Sequence, residues 1–335
     1  MEKLSFKLDH EHPAQLMTLW SDTAATPLLE QTFEPWTVQI KDETGRMGLG
    51  AFKALGGIYA VARLCLGASI PDNVTLDMIR EKAKGKTFVC ASAGNHGMAV
   101  AKGAQIFGAN ARIHLADTVP ESFVARLQAV GAKVIRSGAT YEDSIQAAIE
   151  DAEANDFVHL ADGSWPGYTE PPRLVMEGYT VLAEELRATY SRSGEWPSHV
   201  FLQAGVGGMA AAVAYMIRKN WSVQPQIIVV EPDAAPCLRE AVRDGKVVDV
   251  QGATSNMGRL DCKTASLLAF EILREAANTF LTVSDDEATE AVATLKAQDI
   301  PATTPSGAAG FAALQKLNPP ASARPLIIVS EGDVT

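Results

Sequence analysis

Lys53 sits in "GLGAFKALGG" (48–57) with no carboxylate beside it: Phe52 precedes it, Ala54 follows, and Gly56–Gly57 close the run. An isolated lysine ordinarily lays its stem along apolar surface and keeps its ammonium in water. Held in an apolar pocket instead, the amine is desolvated and favours its neutral form, a nucleophile that forms Schiff bases. A second set, "SAGNHG" (92–97), brings the Ser92 hydroxyl, the Asn95 carboxamide and the His96 imidazole together. Asn95 both donates and accepts, and Ser92 with the loop amides suits a carboxylate or phenolate. For His96 a loop histidine satisfied by a neighbour is the better reading. "AGVGGMAAAVAYM" (204–216) supplies Gly205, Val206, Gly207 and Gly208, a turn whose N–H groups can approach a phosphate where a helix begins. The spacing is not GxGxxG, so a phosphate monoester is expected there rather than a dinucleotide. Asp162, closing "FVHLAD", offers a carboxylate that can move a proton, and Ser330, in "IIVSEGD", offers a hydroxyl that can bond a ring nitrogen without protonating it. By residue type alone, the first reads better as a turn aspartate held by the amides of Gly163–Trp165, and the second also reads as a cap or turn serine.

These residues need strands that end together. Apolar runs "TFVCASAG" (87–94), "ARIHLA" (111–116), "KVIRSG" (133–138) and "FVHLAD" (157–162) alternate with stretches of helical spacing. A second series, "HVFLQAG" (199–205), "QIIVVEPD" (226–233) and "PLIIVSEGD" (325–333), does the same. Such alternation predicts an α/β protein with mostly parallel sheets flanked by helices. Ligands in these folds bind beyond the carboxyl ends of strands, which is where the residues above fall. A chain of 335 residues exceeds one ordinary core, so two lobes are expected. The smaller α/β lobe spans 46–165 with the lysine and Asn95 loop; the larger takes 1–45 and 166–335 with the glycine turn and Ser330.

Composition narrows the partners. With 40 acidic against 29 basic residues the net charge is −11, and no basic stripe invites nucleic acid or an anionic membrane surface. No apolar run is long enough to span a bilayer. The opening "MEKLSFKLDHEHP" carries charges at short intervals and no apolar core, so no signal peptide and a cytoplasmic location are expected. Cys65, Cys90, Cys237 and Cys262 are scattered without zinc spacing; no metal site is expected, and free thiols are. Whether Cys237 and Cys262 approach one another is left open by spacing.

A lysine, a phosphate turn, an asparagine loop and a strand-end serine are the parts a pyridoxal 5'-phosphate site requires. The chain resembles the fold-type II pyridoxal-phosphate enzymes, the tryptophan synthase β and threonine dehydratase group, and within them the diaminopropionate ammonia-lyase family. "KDETGRMGLGAFKALGGIYA" (41–60) and "DGSWPGYTEPPRLVMEGY" (162–179) carry the resemblance, with "LQAGVGGMA", "IVVEPDAAPC", "SNMGRLDCKTAS" and "IIVSEGDV" following in order. It extends from about Thr26 to the end of the chain. It implies that Lys53 carries the cofactor, that Gly205, Val206, Gly207 and Gly208 hold its phosphate, that Asn95 faces the ring oxygen and that Ser330 faces the pyridine nitrogen. It also implies a homodimer, a catalytic role for Asp162, and substrate contacts from Ser92, Ala93 and Tyr168. Two departures stand out: Ala93 occupies the place of a second aspartate, and Ala51 the place where dehydratases carry serine. The chain also stops at Thr335, short of the longer family tail.

The expected activity is elimination of the β-amino group from a small L-amino acid, with 2,3-diaminopropionate giving pyruvate and ammonia. Ala93 puts turnover of the D-isomer in doubt. Two alternatives stand beside it. One is a dehydratase of β-hydroxy amino acids (serine, threonine, 3-hydroxyaspartate or phenylserine). The other is a non-catalytic homologue that binds an amino acid or nucleotide, against which Lys53 together with Asp162 argues.

Overall fold

The computed structural model describes residues 7–21 and 24–333. The first six residues of the charged opening segment and the final Thr335 lie outside them. Strands β1 (Leu28–Phe33), β2 (Trp36–Asp42), β3 (Thr87–Ala91), β4 (Asn110–Leu115), β5 (Lys133–Arg136), β6 (Val158–His159), β7 (His199–Gln203), β8 (Gln226–Pro232), β9 (Thr279–Val283) and β10 (Pro325–Val329) follow in chain order. They form two sheets. One has four strands in the order β5-β4-β3-β6, all parallel. The other has six in the order β1-β2-β10-β7-β8-β9, parallel except for the β1–β2 hairpin. β3, β7, β8 and β10 are apolar runs buried on both faces, as parallel sheets require.

Three strands escape the sequence pattern: β2, whose apolar run is interrupted by Thr37, Gln39 and Lys41, and two edge strands. β1 and β9 are edge strands whose residues are mostly half-buried or exposed, so neither shows a continuous apolar run. β6 is shorter than its apolar run. It pairs over Val158–His159, Leu160 adds one backbone bond to Val89 O at 2.8 Å, and the chain then turns inward at Asp162.

The segment that delivers the lysine is clamped between helices. Helix Lys53–Leu66 buries almost all its side chains, and its Gly56 and Gly57 face two neighbours. A Cβ on Gly57 would lie 2.5 Å from Ala99 Cβ of helix Asn95–Phe107; one on Gly56 would lie within 2.4 Å of the Tyr179 ring of helix Glu170–Ser193. The glycines therefore serve close helix approach. Just before the lysine, a buried ionic cluster ties the chain to that last helix. Arg46 donates to both Glu43 oxygens at 2.7 Å and to Glu185 at 2.7 and 2.8 Å, and Lys41 Nζ donates to Glu185 Oε2 at 2.6 Å. Burial opposes the charge on Arg46, but Glu185 and Glu43 outweigh it and hold the guanidinium above its ordinary range. Among the described residues, no helix is long and apolar enough to cross a membrane.

Candidate active site

Backbone bonds join the two chain segments on which the site depends. Phe52 N donates to Ser330 O at 3.1 Å, Gly332 N donates to Gly50 O at 2.9 Å, and Ala51 bridges Glu331. Lys53 is thereby fixed at the start of its helix beside the end of β10. The strand ends enclose a cavity of about 440 Å³ whose wall includes Lys53, Asn95, Asp162, the 205–208 turn and Ser330. Ser92 and Ala93 line it as well.

Inside it, Lys53 Nζ donates to Asp162 Oδ2 in an ion pair. Burial by itself pushes the amine down; the Asp162 charge outweighs that and holds it above the usual lysine range. Burial likewise pushes Asp162 up, and Lys53 reverses this, keeping the carboxyl well below its ordinary value. At neutral pH the pair is therefore ammonium and carboxylate. The resting lysine is charged, contrary to what an apolar pocket alone would dictate, because the carboxylate was folded in beside it.

Tyr168 does not face the cavity. Its hydroxyl accepts from Ala161 N at 3.0 Å and donates to His159 O at 2.9 Å, and its ring stacks on Trp165 at 4.3 Å. It therefore braces the turn that presents Asp162. His96 shares a 2.8 Å bond with Leu160 O, while burial first and then Lys53 hold its imidazole below the ordinary range. A neutral ring that donates Nε2–H to that carbonyl satisfies both facts.

Ser330 Oγ accepts from Gln203 Nε2 at 3.2 Å. With its acceptor side occupied, its O–H is free to donate into the cavity. Gln203 is a site residue that sequence reasoning placed at a strand end but gave no task. Asn95 Nδ2 donates to Glu331 Oε2, and Arg259 pairs with the same carboxylate through Nε at 3.5 Å. Glu331, at a strand end, and Arg259, within "SNMGRLDCKTAS", were given no role because neither residue by itself marks chemistry.

Other strand ends have structural duties. Glu231 accepts from Leu238 N at 2.7 Å and Arg239 N at 2.9 Å, capping helix Cys237–Asp244. Burial pushes its carboxyl up to about 7, against those two amides. Neither it nor Asp233 is on the cavity wall. Cys237 and Cys262 both touch Gly205, and both are free thiols. Burial, and then the charge of Asp162, push the Cys262 thiol up to about 11, so it is inert at neutral pH.

Two helices begin at the cavity without a side-chain cap, Asn95–Phe107 and Gly208–Asn220, leaving first-turn N–H groups for a ligand. The second follows a turn that only glycine can make. Gly207 has φ +100°, and a Cβ on Gly205 would sit 2.9 Å from Arg259 O and 3.0 Å from Cys262 Sγ. A phosphate cradle, a lysine across from it and a hydroxyl with a free hydrogen fit pyridoxal phosphate as a set.

Comparison with known proteins agrees. A family model described as pyridoxal-phosphate dependent enzyme matches residues 20–331. Diaminopropionate ammonia-lyase of Escherichia coli K12 is 36% identical over 256 residues, covering 75% of this chain and 64% of that protein, just under two thirds of its length. The Salmonella typhimurium protein of the same name is 32% identical over 352 residues, covering 93% of this chain and 86% of its own. The crystal structure of holo diaminopropionate ammonia lyase from Escherichia coli superimposes with a TM-score of 0.86 at 29% identity, over 96% of this chain and 88% of that one. With the family matched over nearly the whole chain and the cavity built for its cofactor, this protein belongs to the pyridoxal-phosphate dependent enzymes.

Proposed function

We propose that the chain is a C–N lyase that removes the β-amino group of a small L-amino acid, with 2,3-diaminopropionate and water giving pyruvate and two ammonia. The observation that carries this reading is the Lys53–Asp162 pair, two proton-moving groups in contact on a cavity wall. Pyridoxal phosphate, when bound, supplies the electron sink that makes the Cα proton acidic. Lys53 holds the cofactor, and Gly205, Val206, Gly207 and Gly208 receive its phosphate. Asn95 faces the ring oxygen. Ser330 donates to the pyridine nitrogen and leaves it without a proton. Ser92 and the free amides at the start of helix Asn95–Phe107 orient the substrate carboxylate, next to Ala93. Asp162 and Lys53 share the work of taking the Cα proton and protonating the departing nitrogen. Closure of the two lobes, 46–165 against the remainder, excludes water from the reacting carbon.

Ala93 favours a second reading, dehydration of β-hydroxy amino acids, since it leaves no carboxylate on the face opposite Asp162. Pyruvate formation from L- and D-2,3-diaminopropionate, set against serine and threonine, tests the two. Turnover of the L-isomer alone supports the lyase; turnover of β-hydroxy amino acids alone replaces it. The protein is further proposed to act in the cytoplasm, in keeping with its four free thiols, and as a homodimer, in keeping with the family resemblance. Light scattering on purified protein measures the latter.

A further inference from the structure

Arg259 lies on the loop between helices Cys237–Asp244 and Leu267–Ala276, and its guanidinium reaches across the cavity toward the four-stranded sheet. Its backbone N–H is fixed to Ser306 Oγ at 3.1 Å. The guanidinium lies 5.8 Å from the Phe123 ring, and its Nη1 would be 3.5 Å from a Cβ on Gly94. Its guanidinium pairs with Glu331 from Nε to Oε2, at 3.5 Å. Among the described residues, no hydrogen bond engages Nη1 or Nη2.

The charges around it do not cancel. Glu331 already accepts from Asn95 Nδ2 at one oxygen and from Thr304 Oγ1, at 2.6 Å, at the other. Asp261, also on the wall, is turned to Lys263 Nζ at 2.6 Å and Ser255 N at 3.2 Å. Asp162 answers Lys53. A second guanidinium, Arg126 of helix Glu121–Ala129, stands near enough that burial first, and then Arg259, hold it below its ordinary range, with Glu331 pulling the other way. Arg126 makes no ion pair or hydrogen bond through its side chain among the described residues. Arg259 thus meets a carboxylate whose acceptors are already engaged and keeps its own Nη groups unbonded, an arrangement suited to a further anion. The cofactor phosphate is not that anion, because its cradle lies against the Arg259 backbone while the guanidinium extends away to Gly94. The substrate α-carboxylate has the first-turn amides of helix Asn95–Phe107.

We propose that Arg259 selects amino acids that carry a second carboxylate on Cβ. The inference rests on the β-elimination proposed above and names its substrate class as 3-amino- or 3-hydroxy-substituted aspartates. For 2,3-diaminosuccinate the Cα–H and Cβ–N bonds break. The proton passes to Asp162 or Lys53, and the electron pair leaves with the nitrogen. Water then replaces the nitrogen on Cα, so one substrate and one water give oxaloacetate and two ammonia.

The test compares holoenzyme and its Arg259→Gln and Arg259→Lys variants in two ways. The first is the ratio of kcat/KM for 2,3-diaminosuccinate over 2,3-diaminopropionate. The second is the ratio of calorimetric Kd values for L-alanine over L-aspartate, neither of which carries a β-leaving group. Wild type is expected to favour the dicarboxylate in both. Arg259→Gln lowers both ratios about 10- to 100-fold, as loss of a charged hydrogen bond does, and Arg259→Lys restores part. Wild-type ratios at or below one, or ratios unmoved by Arg259→Gln, overturn the assignment. If no substrate undergoes elimination, the proposed activity fails by itself, and the alanine–aspartate ratio still decides the role of Arg259.

Discussion

Replacing Asp162 with asparagine keeps the shape of the side chain and removes the charge that Lys53 answers. Two unit charges about 4 Å apart attract by about 4 kcal/mol at an effective dielectric of about 20. The two side chains keep 22% and 25% of their surface open. Solvent screening at that exposure leaves about 2 kcal/mol as the expected loss of stability in the cofactor-free protein at pH 7. The pH dependence follows from the directions of the shifts. Asp162 is held below its unfolded value, so its contribution is present above about pH 4 and is lost as pH falls through the lowered value. Lys53 is held above its unfolded value, so its contribution is present below about pH 10 and is lost as pH rises through the raised one. In Asp162→Asn the carboxylate no longer offsets burial, so the amine falls from its raised value, and its penalty fades once the amine is neutral. The stability gap between the two proteins is therefore flat from about pH 5 upward, then narrows as pH rises through the variant's lowered lysine value. Urea unfolding at pH 7 and pH 10.5 measures both points. The same 2 kcal/mol corresponds to about 30-fold more neutral amine at a given pH, read as faster acylation of Lys53 in the variant. Equal stability at pH 7, or acylation no faster than in wild type, would refute the claim that Asp162 sets the lysine's charge.

Gly205→Ala places a methyl 2.9 Å from Arg259 O and 3.0 Å from Cys262 Sγ. The loop must shift, at about 1–3 kcal/mol, and cofactor affinity by fluorescence titration is expected to fall about 10- to 100-fold. Glu231 has its carboxyl raised to about 7, so its contribution is present below about pH 4.5 and lost as pH rises through 7. Glu231→Gln should abolish that slope, worth at most about 3 kcal/mol, when urea unfolding is compared at pH 4.5 and pH 8. Arg46→Met leaves buried Glu43 and Glu185 with Lys41 alone, and should lower unfolding free energy by about 3–5 kcal/mol in urea titration.

The central strands were legible because a parallel strand covered on both faces is an apolar run, which is a local property. β3, β4, β5, β7, β8 and β10 all begin within a residue of where that pattern begins. Edge strands β1 and β9 were not, since half-exposed residues blur the signal, and neither was interior β2, whose run is broken by Gln39 and Lys41; β5 was legible although it is an edge. Candidate site residues were legible when their type was unusual for their place: a lysine among glycines, an aspartate or serine at the end of an apolar run. Ser92, Ala93, Asn95 and the 205–208 turn joined them on one wall. Tyr168 looked like a ligand contact from its segment, yet its hydroxyl was spent on backbone behind Asp162.

By itself, then, the sequence determined most of the buried strands and which residue types stand at their ends. It could not determine which ends meet. The Lys53–Asp162 pair, the Gln203–Ser330 bond and the Arg259–Glu331 pair join residues far apart in the chain. Their meeting depends on the order of strands within each sheet and on how the two sheets face one another. Hydrophobic periodicity records only whether a side chain is buried, whereas a charge takes its state from the neighbour it is buried against. For Lys53 that neighbour reversed the protonation that burial alone dictates.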